Sequence, residues 1–417
     1  MDVCLRRHCP AHLKYERGQS IVTTPLPRER QIKNWLLSGI LLGASLCIAL
    51  VVGELSLRLI GFSFPVFYTY DDIVGSAFRP GAEGWHRTEG EAFIRISSSG
   101  LRDREHSKAK PSNTIRIAVL GDSMAEALQM PVEATFWSNM ERRVKECKVF
   151  GGRDVEVLNF GVSGYGTAQE LLALRHRVSE YAPDVVVLAF YPGNDVRNNS
   201  RELEPMKLRP FFRLDKGMLV LDDAFLSDPE YLSYKRSFGI RKMLFDLRTF
   251  QLLRKAKAAF EQLTSREAGS AQVANLELGV NEKVFLPPES AAWRDAWQVT
   301  ERLIVAMRDE AKGMGAQFLL VSIPIAIQAN PDPKVRDQFK SDIGASDLLY
   351  PESRIRSLAG KEKIDAVLLT PPFRSYAEKN RVYLHGFNNT ALGSGHLNED
   401  GHRLAGDLIS AHICQSH

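Results

Sequence analysis

Four short runs of nearly unbroken apolar and β-branched residues constrain this chain more than any other feature. They are IRIAVL at 115–120, VEVLN at 155–159, VVVLAF at 185–190 and FLLVSI at 318–323. A strand with one face in water alternates polar and apolar residues, so runs of this kind belong to strands covered on both faces. Between them, TFWSNMERRVKE (135–146), TAQELLALRHRVSEYA (167–182) and the stretch 292–315 repeat apolar residues at three- and four-residue intervals, the spacing of a helix with one buried face. In the second, Leu171, Leu172, Leu174 and Val178 form the inward stripe. Alternation of strand and helix predicts a three-layer α/β domain with a mainly parallel sheet and right-handed crossovers, in which ligands gather at the carboxyl ends of the strands.

One stretch interrupts the alternation. Residues 196–291 hold a hairpin signal at Asp215-Lys216-Gly217, an amphipathic helix near 238–263 and a Ser/Ala/Glu-rich connection; the sequence reads as an insertion, a lid or substrate-binding cap. Residues 62–113 read as a linker and entry region with short strands, FIRIS alternating and SSSG turning. With 417 residues, 44% hydrophobic and 25% charged, the chain is neither collagen-like nor disordered.

Ahead of this lies WLLSGILLGASLCIALVVG, nineteen uncharged residues from Trp35 to Gly53, which as a helix spans roughly 28 Å, a bilayer's hydrocarbon thickness. Glu54 and Arg58 follow at a spacing that pairs on one helical face. The net charge of +4 resides entirely in residues 1–33, so the positive-inside rule keeps the N-terminus in the cytoplasm. The expected organisation is a basic tail (1–34), a retained single-pass helix in the cytoplasmic membrane (35–61), the entry region (62–113) and an extracytoplasmic domain (114–417), periplasmic in a Gram-negative host. A cleaved signal peptide would need an n-region longer than thirty residues, and Leu46 before Cys47 does not suit lipoprotein processing. The exported body is neutral, which argues against nucleic-acid binding. Of five cysteines, Cys4, Cys9 and Cys47 lie in or before the span. Cys147 and Cys414 remain in an oxidising space, as a bridge or as two buried thiols, and no cysteine spacing resembles a zinc site.

Candidate site residues fall just after the strands or near the C-terminus. The first strand ends in Gly121-Asp122-Ser123-Met124, a serine at a strand-to-helix turn with its own N–H open to an oxyanion. The second leads into Asn159-Phe160-Gly161-Val162-Ser163-Gly164-Tyr165-Gly166-Thr167, the third into Pro192-Gly193-Asn194-Asp195. Near the C-terminus stands Gly393-Ser394-Gly395-His396-Leu397-Asn398-Glu399-Asp400-Gly401-His402.

Together these blocks resemble the SGNH hydrolase superfamily, the GDSL esterases and lipases, over roughly 114–195 and 316–410. The resemblance implies a flavodoxin-like α/β sandwich, Ser123 as nucleophile, His396 as general base, and the Ser123 N–H, Gly164 N–H and Asn194 side chain as oxyanion donors. Asp122 has a turn-organising role there. Two departures stand out: Pro192 opens the third block in place of Gly, and Gly393 stands where the family carries an Asp that orients the histidine. Either a backbone carbonyl holds His396 in a Ser-His dyad or another acid does so. Asp103, three residues before His106 in an upstream polar loop, offers an alternative Asp-His pair. Glu399 and Asp400 point into the final helix, His402 reads as structural, His385 as capping or solvent-facing with pocket lining as the alternative, and Tyr165 and Tyr191 as packing or sugar-stacking surfaces. The implied activity is an extracytoplasmic serine esterase without metal or organic cofactor. Its expected substrate is an O-acyl, expectedly acetyl, ester on an envelope or exported polysaccharide. Acyl transfer to a sugar hydroxyl from the same site, or a non-catalytic scaffold or carbohydrate-binding protein, are the alternatives.

Overall fold

The computed structural model describes residues 28–265 and 280–416; most of the basic tail and the Ser/Ala/Glu-rich connection lie outside them. Two units are separate. The first contains α1 (Arg28–Leu59), whose segment Ile32–Leu59 is long and apolar enough to cross a membrane and has no buried residue. Arg58 pairs with Glu54 at 2.8 Å, as their spacing predicts.

The second unit, residues 60–417, begins with two hairpins, β1 (Tyr68–Asp71) with β2 (Gly75–Phe78) and β3 (Glu83–His86) with β4 (Ala92–Arg95). Phe67, Val74, Phe78, Ile94 and Ile96 bury this entry region in the same core as the domain. Then come β5 (Thr114–Gly121), α2 (Ser123–Glu126), α3 (Phe136–Cys147), β6 (Asp154–Asn159), α4 (Thr167–His176), β7 (Val185–Phe190) and α5 (Asp195–Asn198). The insertion supplies β8 (Phe211–Asp215), β9 (Met218–Asp222), α6 (Pro229–Phe245) and α7 (Arg248–Ser265). The chain closes with α8 (Ala291–Gly313), β10 (Gln317–Ser322), α9 (Pro333–Asp342), α10 (Tyr350–Glu362), β11 (Asp365–Leu368), α11 (Thr370–Asn380) and α12 (Glu399–Ser416).

The main sheet runs β11-β10-β7-β5-β6, parallel throughout. In chain order this is 2-1-3-4-5 read from the β6 edge, the flavodoxin-like order. Every residue of the central strands β5 and β7 is buried, as their uninterrupted apolar runs require. The first crossover and the later ones run in opposite directions across the sheet, so right-handedness puts α3 on one face and α4 and α8 on the other; α12 returns to pack on α3.

Three elements differ from the sequence reading. The edge strand β11, Asp-Ala-Val-Leu, is only partly buried, and its apolar run, Ala366 to Leu369, is too short to stand out beside those of β5, β7 and β10. The helix expected over 167–182 ends at His176, because Arg177 leaves helical geometry and its guanidinium bonds Asp71 of the first hairpin at 2.6 Å. The single helix expected near 238–263 is two. Arg79 holds Asp246 at 2.8 Å, and the Gln251 side chain donates to the Phe245 carbonyl at 2.9 Å, so the chain breaks between α6 and α7.

Cys147 and Cys414 are bridged, joining the ends of α3 and α12 across a sequence separation of 267 residues. Closing so long a loop restricts the unfolded chain strongly. Cys147→Ser is expected to lose about 2–5 kcal/mol of stability, read as a lower thermal midpoint that added reductant does not lower further; an unchanged midpoint would mean that the bridge contributes nothing.

Candidate active site

Ser123 and Asn194 are the openings in otherwise closed stretches of chain. From Thr114 to Met130 Ser123 is the one residue not buried, and from Val185 to Val196 Asn194 is. Both follow the carboxyl ends of the adjacent strands β5 and β7, where the strand order reverses and α/β sheets leave a crevice. Asp122 starts α2 by accepting the Met124 N–H at 2.9 Å, and the Trp137 indole N–H donates to the Ala125 carbonyl at 3.0 Å, so the turn that presents Ser123 is fixed from both sides. Gly164 lies in the loop after β6 with φ +77° and is also partly exposed. Among the described residues, neither the Ser123 nor the Gly164 N–H has an acceptor within the protein.

His396 belongs to the same end. Its charge acts on the buried carboxyls of Asp122 and Glu126, which flank Ser123 on either side. What holds the histidine is Glu89, in the loop between β3 and β4. One carboxylate oxygen accepts the His396 backbone N–H at 2.9 Å and the other meets ring Nδ1. Burial alone would raise the Glu89 pKa, but the hydrogen bonds and charge of His396 outweigh it and hold the carboxyl below its ordinary value. An ionised carboxylate only accepts, so Nδ1 carries a proton, and in the neutral form of the ring the lone pair is on Nε2. Asn389 locks the two loops together, accepting the Gly90 N–H and donating to the Gly90 carbonyl, each at 2.9 Å.

The sequence reading missed Glu89, and two glycines explain why an acid must come from so far away. Gly393, where the resemblance led one to expect an Asp, has φ +82°, and a Cβ there would stand 2.8 Å from the Tyr383 ring, so an aspartate would need a strained backbone and a shift of that ring. Gly395 has φ +86°, and a Cβ on it would fall on Glu89 Oε1. The loop thus disfavours a local acid and leaves room for a distant one. The signal available in the sequence was Gly393 itself, together with a glutamate in a glycine-flanked turn, Thr88-Glu89-Gly90.

Other residues singled out by sequence lie elsewhere. Asp103 and His106 do meet, at 3.3 Å, but both side chains are buried, and Asp103 accepts the Asn159 N–H at 2.9 Å; the pair braces the end of β6. His402 is buried against Phe136 and accepts its N–H at Nδ1; burial pushes its pKa down to about 3. His385 is neither capping nor solvent-facing: it is 1% exposed, bonds the Pro324 carbonyl at 3.1 Å, and burial lowers it to about 4. Tyr165 and Tyr191 are buried in the core, and Asp400 pairs with Arg403 on α12. Among the described residues, no group of three or more His, Cys, Asp or Glu is placed to hold a metal ion.

Beneath the site lie carboxyls that burial keeps protonated more readily than usual. Burial pushes Asp122 up to about 6, against the Met124 N–H and the Asn194 amide. Burial likewise takes Glu126 up to about 7, against the Tyr68 hydroxyl and the Ser163 N–H, both of which donate to it. Glu126 thereby ties the turn carrying Ser123 to the loop carrying Gly164.

No protein-family model and no curated protein sequence matches the chain. Solved structures do. The acetyl xylan esterase AlAXEase is 17% identical, with 72% of this chain and 100% of that one covered and a TM-score of 0.37. A GDSL-like lipase from Bacteroides thetaiotaomicron is 15% identical (75% and 93% covered, TM-score 0.31), and an acetylxylan esterase from Geobacillus stearothermophilus 12% identical (74% and 96%, TM-score 0.36). Likeness at this level says nothing of what this chain acts on.

The Glu126 shift has a measurable consequence. A folded carboxyl titrating at about 7 keeps a proton that the unfolded chain releases near pH 4.5, so Glu126 takes stability away as pH rises through that window. Glu126→Gln cannot ionise, and its thermal midpoint is expected to change less than the parent's between pH 5 and pH 8; an equal change in both would show that Glu126 titrates normally.

Proposed function

We propose that this chain is a serine ester hydrolase in which Ser123 is the nucleophile, His396 the general base and Glu89 the acid that orients it. The carrying observation is the Glu89 carboxylate engaged by both the backbone N–H and ring Nδ1 of His396, because that arrangement gives Nε2 the lone pair that a general base needs. In this reading Nε2 takes the Ser123 hydroxyl proton as Oγ attacks the ester carbonyl carbon. The negative charge that develops on the carbonyl oxygen is met by the N–H groups of Ser123 and Gly164 and the Asn194 side chain, each such donor being worth about 3 kcal/mol in the transition state. Nε2–H then protonates the departing alcohol, and water, activated by the same nitrogen, releases the acid from the acyl-serine.

The alcohol part of the substrate is proposed to be a carbohydrate of the envelope or an exported polysaccharide, with the domain outside the cytoplasm and anchored by α1. The apolar helix behind a basic segment and the Cys147–Cys414 bridge, which suits an oxidising compartment, support that location. A scaffold without catalysis would suit a histidine with no acid partner, and the Glu89 contact favours the catalytic reading.

Full-length protein is expected to be labelled by a fluorophosphonate, with labelling lost in Ser123→Ala; no labelling of folded protein would overturn the reading. With an acyl ester and an oligosaccharide acceptor, free acid is the expected product, and acyl groups appearing on sugar would make the enzyme a transferase. Glu89→Gln, which keeps size but loses charge, is expected to lower kcat by about 10²–10⁴-fold with little change in KM. An unchanged kcat would leave Glu89 a structural residue only.

A further inference from the structure

A cavity of about 420 Å³ adjoins Gly164, walled by the first hairpin, the 205–209 segment of the insertion and the start of α6. We infer that this cavity receives the acyl group of the ester, and that the preferred acyl group is a chain of several carbons rather than acetyl. The inference rests on the esterase reading above and deepens it.

Position comes first. Ser163 and Gly164 form one wall. If the Gly164 N–H meets the carbonyl oxygen, a cavity bounded by that residue lies beside the carbonyl carbon and takes one of its two substituents, the acyl chain or the alcohol.

Chemistry decides between them. A sugar needs donors and acceptors turned towards it, yet most of the charged groups of this lining have partners within the protein. Lys207 Nζ donates to the Arg201 carbonyl, Arg209 to the Gln169 side chain, and Asp228 accepts the Glu230 N–H at 2.8 Å as the cap of α6. The Tyr165 hydroxyl is taken by the Ser76 carbonyl at 2.8 Å, and Glu230 is exposed to solvent. The rest of the lining is mainly apolar, Val74, Pro205, Met206, Leu208 and the Tyr70 and Tyr165 rings, with the Tyr70 hydroxyl, Ser76 and Ser163 as its smaller polar part. A hydrocarbon chain asks for no more.

Size points the same way. A methyl group takes about the volume of a water molecule, roughly 30 Å³, so an acetyl ester would leave most of the cavity unfilled. Each further methylene buried there is expected to favour binding by roughly fourfold until the space is full. The acetyl specificity expected from sequence is therefore replaced by a preference for longer chains.

The test is a series of p-nitrophenyl esters from acetate to decanoate, given to full-length protein and to Met206→Trp and Leu208→Phe, with fluorophosphonate labelling run on each. Met206 is 64% exposed, so tryptophan there can fold and still reach into the cavity; Leu208→Phe is the second, smaller obstruction. The parent is expected to show kcat/KM rising at least tenfold from acetate to a chain of six to eight carbons. Both variants should keep their labelling and lose at least tenfold in kcat/KM on the six- to eight-carbon esters relative to acetate, shifting the optimum towards acetate. Labelled parent protein with its highest kcat/KM on acetate, or an optimum unmoved in both variants, would overturn the acyl cavity and leave the esterase reading standing. Absence of both labelling and hydrolysis in folded parent protein would overturn the esterase reading and the inference with it.

Discussion

The contact on which the site depends is the grip of Glu89 on His396. A histidine presents either nitrogen with similar ease, and a flexible glycine-rich loop such as 393–396 offers little to fix its ring. One carboxylate taking both the backbone N–H and Nδ1 settles position and tautomer together. It also explains why the β3–β4 hairpin packs into the domain core rather than trailing as a tether. Glu89 is 307 residues from His396 in sequence, and the Asn389 bonds to Gly90 hold the two loops in register.

A second layer of constraint lies under Ser123. Asp122 and Glu126 are fully buried, and their raised pKa values measure what it costs to place carboxyls there. Each accepts backbone N–H groups from a turn that must be held: Asp122 that of Met124, Glu126 that of Ser163. The Tyr68 hydroxyl completes Glu126 and brings the first hairpin into the same network. The entry region thus reaches the site twice, through Tyr68 beneath it and through Glu89 beside it.

The parts of the molecule that sequence made legible are those governed by local pattern. The buried strands β5, β6, β7 and β10 were announced by apolar runs, and α3 and α8 by their periodicity, because burial on two faces or on one leaves a direct mark on composition. The edge strand β11 escaped because it is only four residues long and partly buried, with Asp365 in solvent, so that its apolar run is short. The break between α6 and α7 escaped because it is imposed by Arg79 and Gln251, not by a proline or glycine at the break. Ser123, Gly164, Asn194 and His396 sit in short blocks that sequence picks out as candidates. Glu89 does not, since a single carboxylate in a polar turn carries no periodicity and its role exists only once the tertiary fold has formed.

The fold also explains how residues as distant as Ser123 and His396 reach one end of the sheet. The Ser123 turn leads into α3, to which it is tied by the Trp137–Ala125 bond, and the His396 loop leads directly into α12. These two helices are joined at both ends: the Phe136 N–H donates to His402 near their beginnings, at 3.1 Å, and Cys147 is bridged to Cys414 near their ends. Two attachments fix the orientation of a helix pair where one would leave a hinge. With α3 packed on β6, α12 is held on the same face of the sheet as α3. The burial of His402, which keeps its ring neutral and an acceptor for the Phe136 N–H, belongs to that scaffold: a protonated ring there would lose the acceptor nitrogen and loosen one of the two attachments.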